Sequence, residues 1–225
     1  DRAGPAVDAS LRRLGRDRID LALLHLNERP CCEAAGVFDA LNQLVAMGKL
    51  RAYGWSTDYA ASAAALAGRR HFQAVEFAMN LFFDAPRMQK VVQDSALVSL
   101  VRSPLAMGLL GGAYDWTSVM PANDVRASRE VWMEYFQNGR ANPAFMATLD
   151  AVRDLLTSDG RSVVQGALGW LWGQAATHIP IPGAKTVAQI EGITGALSFG
   201  PLPVAVMDEI ADLIPRSPQE PDRPR

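Results

Sequence analysis

Five places along the chain set polar or charged side chains at or near the ends of short apolar runs. They are His25, Ser56 with Thr57, the stretch Glu76 to Asn80, Arg102 with Ser103, and Gly183 to Thr186. Arg102 offers a guanidinium that can lie flat on a ring, bind phosphate with two parallel hydrogen bonds, or pair with a surface carboxylate. Pro182 to Thr186 precedes a helical pattern, and the N–H groups at a helix start favour an anion. Lys185 adds positive charge there, Thr186 a hydroxyl and Gln189 an amide. Cys31 and Cys32 are adjacent and follow His25. With no CxxC spacing and no second cluster, they read as reduced cysteines of the loop after His25 and not as metal ligands.

Alternating elements must position these groups. Apolar runs at Arg18 to His25, Leu50 to Ser56, Ala74 to Met79, Leu97 to Val101 and His178 to Ile181 predict strands. Helical spacing predicts helices over Phe38 to Met47, Tyr59 to Ala67, Arg87 to Ser95, Pro143 to Thr157, Ser162 to Ala175, Val187 to Leu197 and Pro203 to Leu213. Gly48 suits the C-terminal cap of the first. Strands that are apolar throughout and alternate with helices indicate an α/β fold with a parallel sheet buried on both faces. An open doubly wound sheet and a (β/α)8 barrel both place chemistry at the C-terminal strand ends. No GxGxxG follows any strand, which favours the barrel.

The 225 residues are 49% hydrophobic and 20% charged, an ordinary balance for a soluble globular chain. With 22 basic against 24 acidic residues there is no basic stripe, so no nucleic-acid partner is expected. No apolar run reaches the roughly 20 residues of a membrane span. The longest, Val163 to Ala176, is interrupted by Gln165, Gly166, Gly169 and Gly173 and reads as a buried amphipathic helix. A disulfide between neighbouring cysteines is strained, so the pair is no secretory framework and a cytoplasmic location is expected. The chain opens on Asp1 without a methionine, as expected of a processed protein or a piece of a longer one. The Pro/Arg/Glu-rich residues 215–225 are expected to be a disordered tail after one domain spanning residues 1–214.

An ordered set of motifs resembles the aldo-keto reductase family. It starts with Ser10-Leu11-Arg12-Arg13-Leu14-Gly15, Ile19-Asp20-Leu21 and Leu24-His25, and continues with Gly48-Lys49-Leu50-Arg51, Gly54-Trp55-Ser56 and Asn80-Leu81. Ser103-Pro104-Leu105-Ala106, Gly108-Leu109-Leu110, Gln165-Gly166-Ala167-Leu168 with Trp170, and Ile181-Pro182-Gly183-Ala184-Lys185-Thr186 complete it. The resemblance implies a TIM barrel of which this chain holds the last five βα units, strands four to eight, as an open partial barrel. It implies an NADP(H)-dependent oxidoreductase acting on a small aldehyde, ketone or alcohol.

By the same resemblance, His25 matches the histidine that orients or polarises the substrate carbonyl. Ser56 matches the serine that binds the nicotinamide carboxamide, Thr57 falls on the family's asparagine and Glu76 on its glutamine. A carboxylate at that position can accept from the amide NH2 but cannot donate to its oxygen. It also stabilises the oxidised, positively charged ring. Arg102 stands where many members place a stacking tyrosine, and an Arg-x-Pro-Leu-Ala branch of the family resembles the chain more closely. Ser103 follows it, and Leu105 to Gly112, with Gly108, resembles the loop that wraps the pyrophosphate. Gly183, Ala184, Lys185, Thr186 and Gln189 resemble the segment receiving the adenosine 2′-phosphate, which favours NADP over NAD. Gly192 and Ile193 replace the Glu-Asn pair that usually holds the adenine. The aromatics Trp116, Trp132, Tyr135 and Phe136 either line a substrate pocket or pack on the barrel.

The family's proton-donating tyrosine, its lysine and its aspartate lie in barrel units preceding those matched here. Tyr53, Tyr59, Tyr114 and Tyr135 match none of them. The implied partner is therefore the N-terminal barrel half, in the same or another chain, and this stretch is expected to be inactive alone. Its two end strands are expected to expose unpaired edges that invite association. The alternative function is a non-catalytic family subunit or interaction module.

Overall fold

A computed structural model describes residues 2–128, 133–214 and 216. Five strands, β1 (Ile19–Leu24), β2 (Leu50–Ser56), β3 (Phe72–Ala78), β4 (Val98–Arg102) and β7 (His178–Pro180), form one sheet in the order β1-β2-β3-β4-β7. The pairings of β1 with β2 and of β2 with β3 are parallel. A short antiparallel hairpin, β5 (Phe136–Gln137) with β6 (Arg140–Ala141), stands apart. The expected α/β class and parallel strands are therefore present. The described chain divides into two compact units, one built from residues 2–77 and 85–100, the other from 78–84 and the residues after 100.

In the first unit, helix α1 (Ala3–Leu14) precedes β1, α2 (Cys31–Ala46) joins β1 to β2, and α3 (Ala60–Leu66) and α4 (Pro86–Asp94) follow. Phe38 of α2 is fully buried against Tyr53, Trp55 and Phe72, with ring centroids 5.7, 5.5 and 5.5 Å away. Each aromatic pair adds about 1 kcal/mol beyond the area it buries. Tyr53 and Trp55 share a face because alternate residues of a strand point the same way. Between them Gly54 meets a hard limit, since a Cβ there would lie 2.1 Å from the Ala74 carbonyl oxygen. The β2–β3 register shifts at this glycine. β2 is buried at every position but Arg51, whereas no residue of β1 is fully buried although five of its six are apolar. β1 ends the strand order and pairs only with β2 among the described residues.

Helix α2 corrects one expectation. Cys31 and Cys32 do not lie in a loop but open the helix, seven residues before Phe38. Of Cys31 to Val37 only Ala34 is buried, so this stretch lacks the apolar stripe that marks a helix by its sequence.

In the second unit, α5 (Pro143–Leu156), α6 (Val163–Gln174), α7 (Val187–Phe199) and α8 (Val204–Leu213) surround α6 with helices. Over its middle α6 departs from the amphipathic reading, with Gly166 to Leu171 consecutively buried, while Gly173 and Gln174 at its end are exposed. Its glycines allow the close approach: a Cβ on Gly166 would sit 2.0 Å from the Leu156 carbonyl oxygen. A reciprocal capping box between Ser162 and Gln165 starts the helix. The expected tail after residue 214 lies outside the described residues except for Arg216. That guanidinium stacks 5.0 Å over the Trp170 ring and donates to the Leu81 carbonyl oxygen at 2.8 Å.

Candidate functional site

The site residues fall in two groups. In the first unit, His25 directly follows β1 and is exposed. Ser56 ends β2, is 3% exposed, and is the register partner of Glu76 on β3. The Ser56 hydroxyl donates to the Glu76 carboxylate at 2.7 Å. Thr57 follows with its backbone N–H bonded to the Glu76 carbonyl oxygen at 2.9 Å. Its hydroxyl donates to the Asn27 carbonyl oxygen at 2.8 Å and accepts the Tyr59 N–H at 3.1 Å. Thr57 therefore secures the loop after His25 and has no hydroxyl proton left for a ligand.

Trp55, whose place in the Gly54-Trp55-Ser56 motif carries no role by itself, and Asn27, which no motif marks, hold that loop. The Trp55 indole N–H donates to the Leu26 carbonyl oxygen at 3.1 Å, and the Asn27 side-chain oxygen accepts the Asp58 N–H at 2.7 Å. Together with Thr57, these bonds tie residues 26 and 27, next to His25, to the end of β2. Among the described residues no group of three or more His, Cys, Asp or Glu is placed to hold a metal ion.

In the second unit, Arg102 ends β4 and is half-buried, and Ser103 follows with φ +53°. Ala106, Met107 and Gly108 also have positive φ, at 47°, 55° and 96°. Three left-handed non-glycine residues so close together cost about 1 kcal/mol or more each and persist only where the surroundings impose them. Buried Asn80 is one constraint, donating to the Ser103 carbonyl oxygen at 3.1 Å and to the Tyr135 hydroxyl at 2.9 Å. Arg126 is another. It donates to the Met107 carbonyl oxygen at 3.4 Å, to the Tyr114 hydroxyl and to both oxygens of Asp124 at 2.8 and 2.6 Å. Its guanidinium lies 5.2 Å from the Tyr114 ring centroid and 5.5 Å from that of Phe136. The hydrogen bonds from Arg126 hold the Asp124 carboxyl far below the usual carboxylate range, and the charge of Lys185 adds to the effect.

Within the loop, the N–H groups of Ala106, Gly108 and Leu110 close turns onto Ser103 and Leu105. Leu105 is half-buried at the loop's start. Gly183, Ala184, Lys185 and Thr186 are exposed in the segment between β7 and α7. Gln189 closes a capping box with Thr186, and its side-chain oxygen accepts the N–H groups of Lys185 at 2.7 Å and of Thr186 at 3.3 Å. Those N–H groups are thus satisfied internally, and an anion there would compete with the Gln189 oxygen. Gly192 turns its carbonyl to the Gln165 side chain at 3.3 Å, and both Gly192 and Ile193 are half-buried. Of the segment's aromatics, Tyr135 and Phe136 are buried in ring contacts with Phe145 and Tyr114. Trp116 is 55% exposed and donates to Asp150, and Trp132 lies outside the described residues.

The chain matches the Aldo/keto reductase family over residues 2–215. It belongs to the aldo/keto reductase family. Within that family it is 29% identical over 201 residues to Aldo-keto reductase yakc, NADP(+), of Schizosaccharomyces pombe, which covers 85% of this chain and 56% of that protein. To the 6-dehydroglucose reductase of Agrobacterium fabrum it is 24% identical over 193 residues, 85% of this chain and 56% of that one. The chain thus spans 56% of the length of these curated relatives. Among solved structures it is similar to the glycerol dehydrogenase AKR11B4 from Gluconobacter oxydans, with TM-score 0.79, 24% identity, and coverage of 100% of this chain and 68% of that one. The holo form of aldo-keto reductase AKR11C1 from Bacillus halodurans gives TM-score 0.69 at 25% identity, covering 97% and 68%. These likenesses give the aldo/keto reductase fold.

Proposed function

We propose that this chain supplies the cofactor-binding and carbonyl-orienting residues of an NADP(H)-dependent oxidoreductase that interconverts a small carbonyl compound and its alcohol. The observation carrying this reading is the Ser56–Glu76 pair, bonded at 2.7 Å near the C-terminal ends of adjacent parallel strands, in a chain that belongs to this family. Parallel α/β sheets gather their ligands at such ends. The S. pombe relative, named for NADP(+), supports the choice of dinucleotide. The same reading takes the five strands as successive units of a (β/α)8 barrel completed by further strands.

Each unit, taken by itself, has donors or acceptors suited to one part of the cofactor. In the first unit Ser56 and Glu76 offer oxygens to a carboxamide NH2. In the second, Arg102 offers a flat cation, and the Met107–Gly108 turn, with Leu105 and Ser103, a backbone surface for phosphates. Exposed Lys185, with Thr186, Gly183, Ala184 and Gln189, offers charge and donors to a 2′-phosphate. A nicotinamide bound there supplies hydride transfer to or from a carbonyl carbon. His25, exposed at its strand end, orients and polarises the carbonyl oxygen.

On this reading the proton donor comes from elsewhere, since none of Tyr53, Tyr59, Tyr114 and Tyr135 falls where the resemblance puts the family's tyrosine. The Tyr53 hydroxyl is given to the Arg70 carbonyl oxygen at 2.8 Å, Tyr114 is held by Arg126, and Tyr135 is buried against Asn80. The expected behaviour is NADPH binding without turnover. NADPH oxidation by these 225 residues, assayed over a panel of aldehydes and ketones, is the test. Turnover that survives replacement of each tyrosine by phenylalanine would contradict the assigned need for an outside donor. Turnover lost with one of them would identify that tyrosine as the donor.

A further inference from the structure

Cys31 and Cys32 take no part in the cofactor reading or in the core. Both thiols are free and exposed. They are the first two residues of α2, whose first buried residue is Ala34, so neither adds to the helix's apolar contacts. The turn they sit in is weakly held. Pro30 at the cap offers no side-chain hydrogen bond, and the first N–H groups of a helix have no acceptor within it. The turn closes through the N–H groups of Glu33 and Ala34, each 3.0 Å from the Pro30 carbonyl oxygen, and an ion pair of 3.3 Å between Glu33 and Arg29. In the loop leading into it, Asn27 Nδ2 and Arg29 Nε are buried without a hydrogen-bond partner among the described residues. Buried donors left unpaired mark an arrangement with favourable bonds unmade, so a local rearrangement here breaks little.

Adjacent Cα atoms lie about 3.8 Å apart, short of the roughly 4.4 Å at which the usual span of a disulfide begins. The pair is therefore poorly made for a direct S–S bond, and an atom inserted between the sulfurs lengthens the bridge and removes the mismatch. Cysteine sulfur is a soft ligand that prefers soft acceptors. We propose that Cys31 and Cys32 form a vicinal dithiol site for a trivalent arsenical of the type RAs(OH)2. Each thiol displaces one hydroxyl from arsenic. Two As–S bonds form, two As–O bonds break, and the thiol protons leave with the hydroxyls as two molecules of water. Arsenic stays trivalent, so the step needs no oxidant. Successive side chains of a helix point about 100° apart, so drawing both sulfurs onto one arsenic opens the first turn of α2. That frees the Glu33 and Ala34 N–H groups and slackens the loop from Leu26 to Pro30, next to His25.

The test adds phenylarsine oxide, which is hydrated to this form in water, to the full chain and reads the intact mass. A single arsenical on each chain is expected. It should survive an excess of the monothiol 2-mercaptoethanol and be removed by the dithiol 2,3-dimercaptopropanol, because two linked bonds are harder to displace than one. Cys31→Ser and Cys32→Ser, both at exposed positions, should each weaken capture by about 100-fold or more. Hydrogen exchange at the Glu33 and Ala34 amides should quicken by about tenfold or more on capture. No adduct, or an adduct that the monothiol strips from the unaltered chain, would overturn the site, and that comparison needs no variant to fold. Capture undiminished in either serine variant would overturn the pairing of the two thiols. Unchanged exchange at those amides in the adduct would overturn the opening of the turn.

Discussion

Glu76 places a negative charge where the resemblance implies a neutral glutamine, and a fixed charge acts differently on two redox forms of one ligand. The oxidised ring is positive and the reduced ring neutral, so the carboxylate attracts the first selectively. Glu76→Gln is expected to shift the ratio of NADP+ to NADPH affinity toward NADPH by about three- to tenfold. Calorimetric titration of both forms checks it, and an unchanged ratio would remove the charge argument. His178, the first residue of β7, makes a pH prediction of another kind. Burial pushes its imidazole pKa down from the ordinary histidine value. The unfolded chain therefore takes up a proton before the folded one does, and stability falls as pH drops below about 6.5. Melting temperatures between about pH 5 and pH 8 should show this slope, and His178→Asn should flatten it.

Residue types at strand ends were legible in the sequence because each ends an apolar run. The state of their protons was not. That Ser56 spends its hydrogen on Glu76, and Thr57 its own on Asn27, depends on a β2–β3 register and a loop path that no local pattern encodes.

At the scale of elements, β2 stands on Gly54. An added methyl would meet the Ala74 backbone first and the Leu23 side chain beside it, and the backbone cannot swing away, so Gly54→Ala should cost about 3 kcal/mol, lowering the melting temperature by roughly 6–12 °C. A melting temperature within 2 °C of the parent's, about the shift from 1 kcal/mol or less, would contradict this packing account. The loop after β4 depends on Arg126, whose Nη1 would lie 3.3 Å from a Cβ added at Gly108 and which clasps Asp124. Arg126→Met should relax the left-handed turn and weaken NADPH binding by about tenfold, read by fluorescence titration. Rescue by Arg126→Lys would be partial at best, because an ammonium lacks the planar fork that holds both Asp124 oxygens.

The sequence resolved the central elements well where apolar runs and helical spacing agree, as at β2. The start of α2 escaped because small, exposed residues carry no stripe. The β5–β6 hairpin has its local signal in Asn138-Gly139, which both adopt positive φ, at 51° and 73°, the combination a two-residue hairpin turn requires, but its two-residue strands are too short to show as apolar runs.

For the molecule as a whole, the unevenness of burial matters most. β1 is as apolar as its neighbours yet leaves every residue partly accessible, and it ends the strand order. Exposed apolar edges pair with other chains. Light scattering of these 225 residues is expected to rise with concentration through self-association. A monodisperse monomer with one cooperative unfolding transition would contradict that expectation.

Binding of NADP(H) by these residues is read most directly in an NADPH fluorescence titration of the chain. A saturable change reversed by NADP+ is expected, weaker by about tenfold or more with NADH because Lys185 loses the 2′-phosphate, and equalised between the two by Lys185→Ala. An emission that does not change on adding protein, or equal affinity for NADPH and NADH in the unaltered chain, would contradict it.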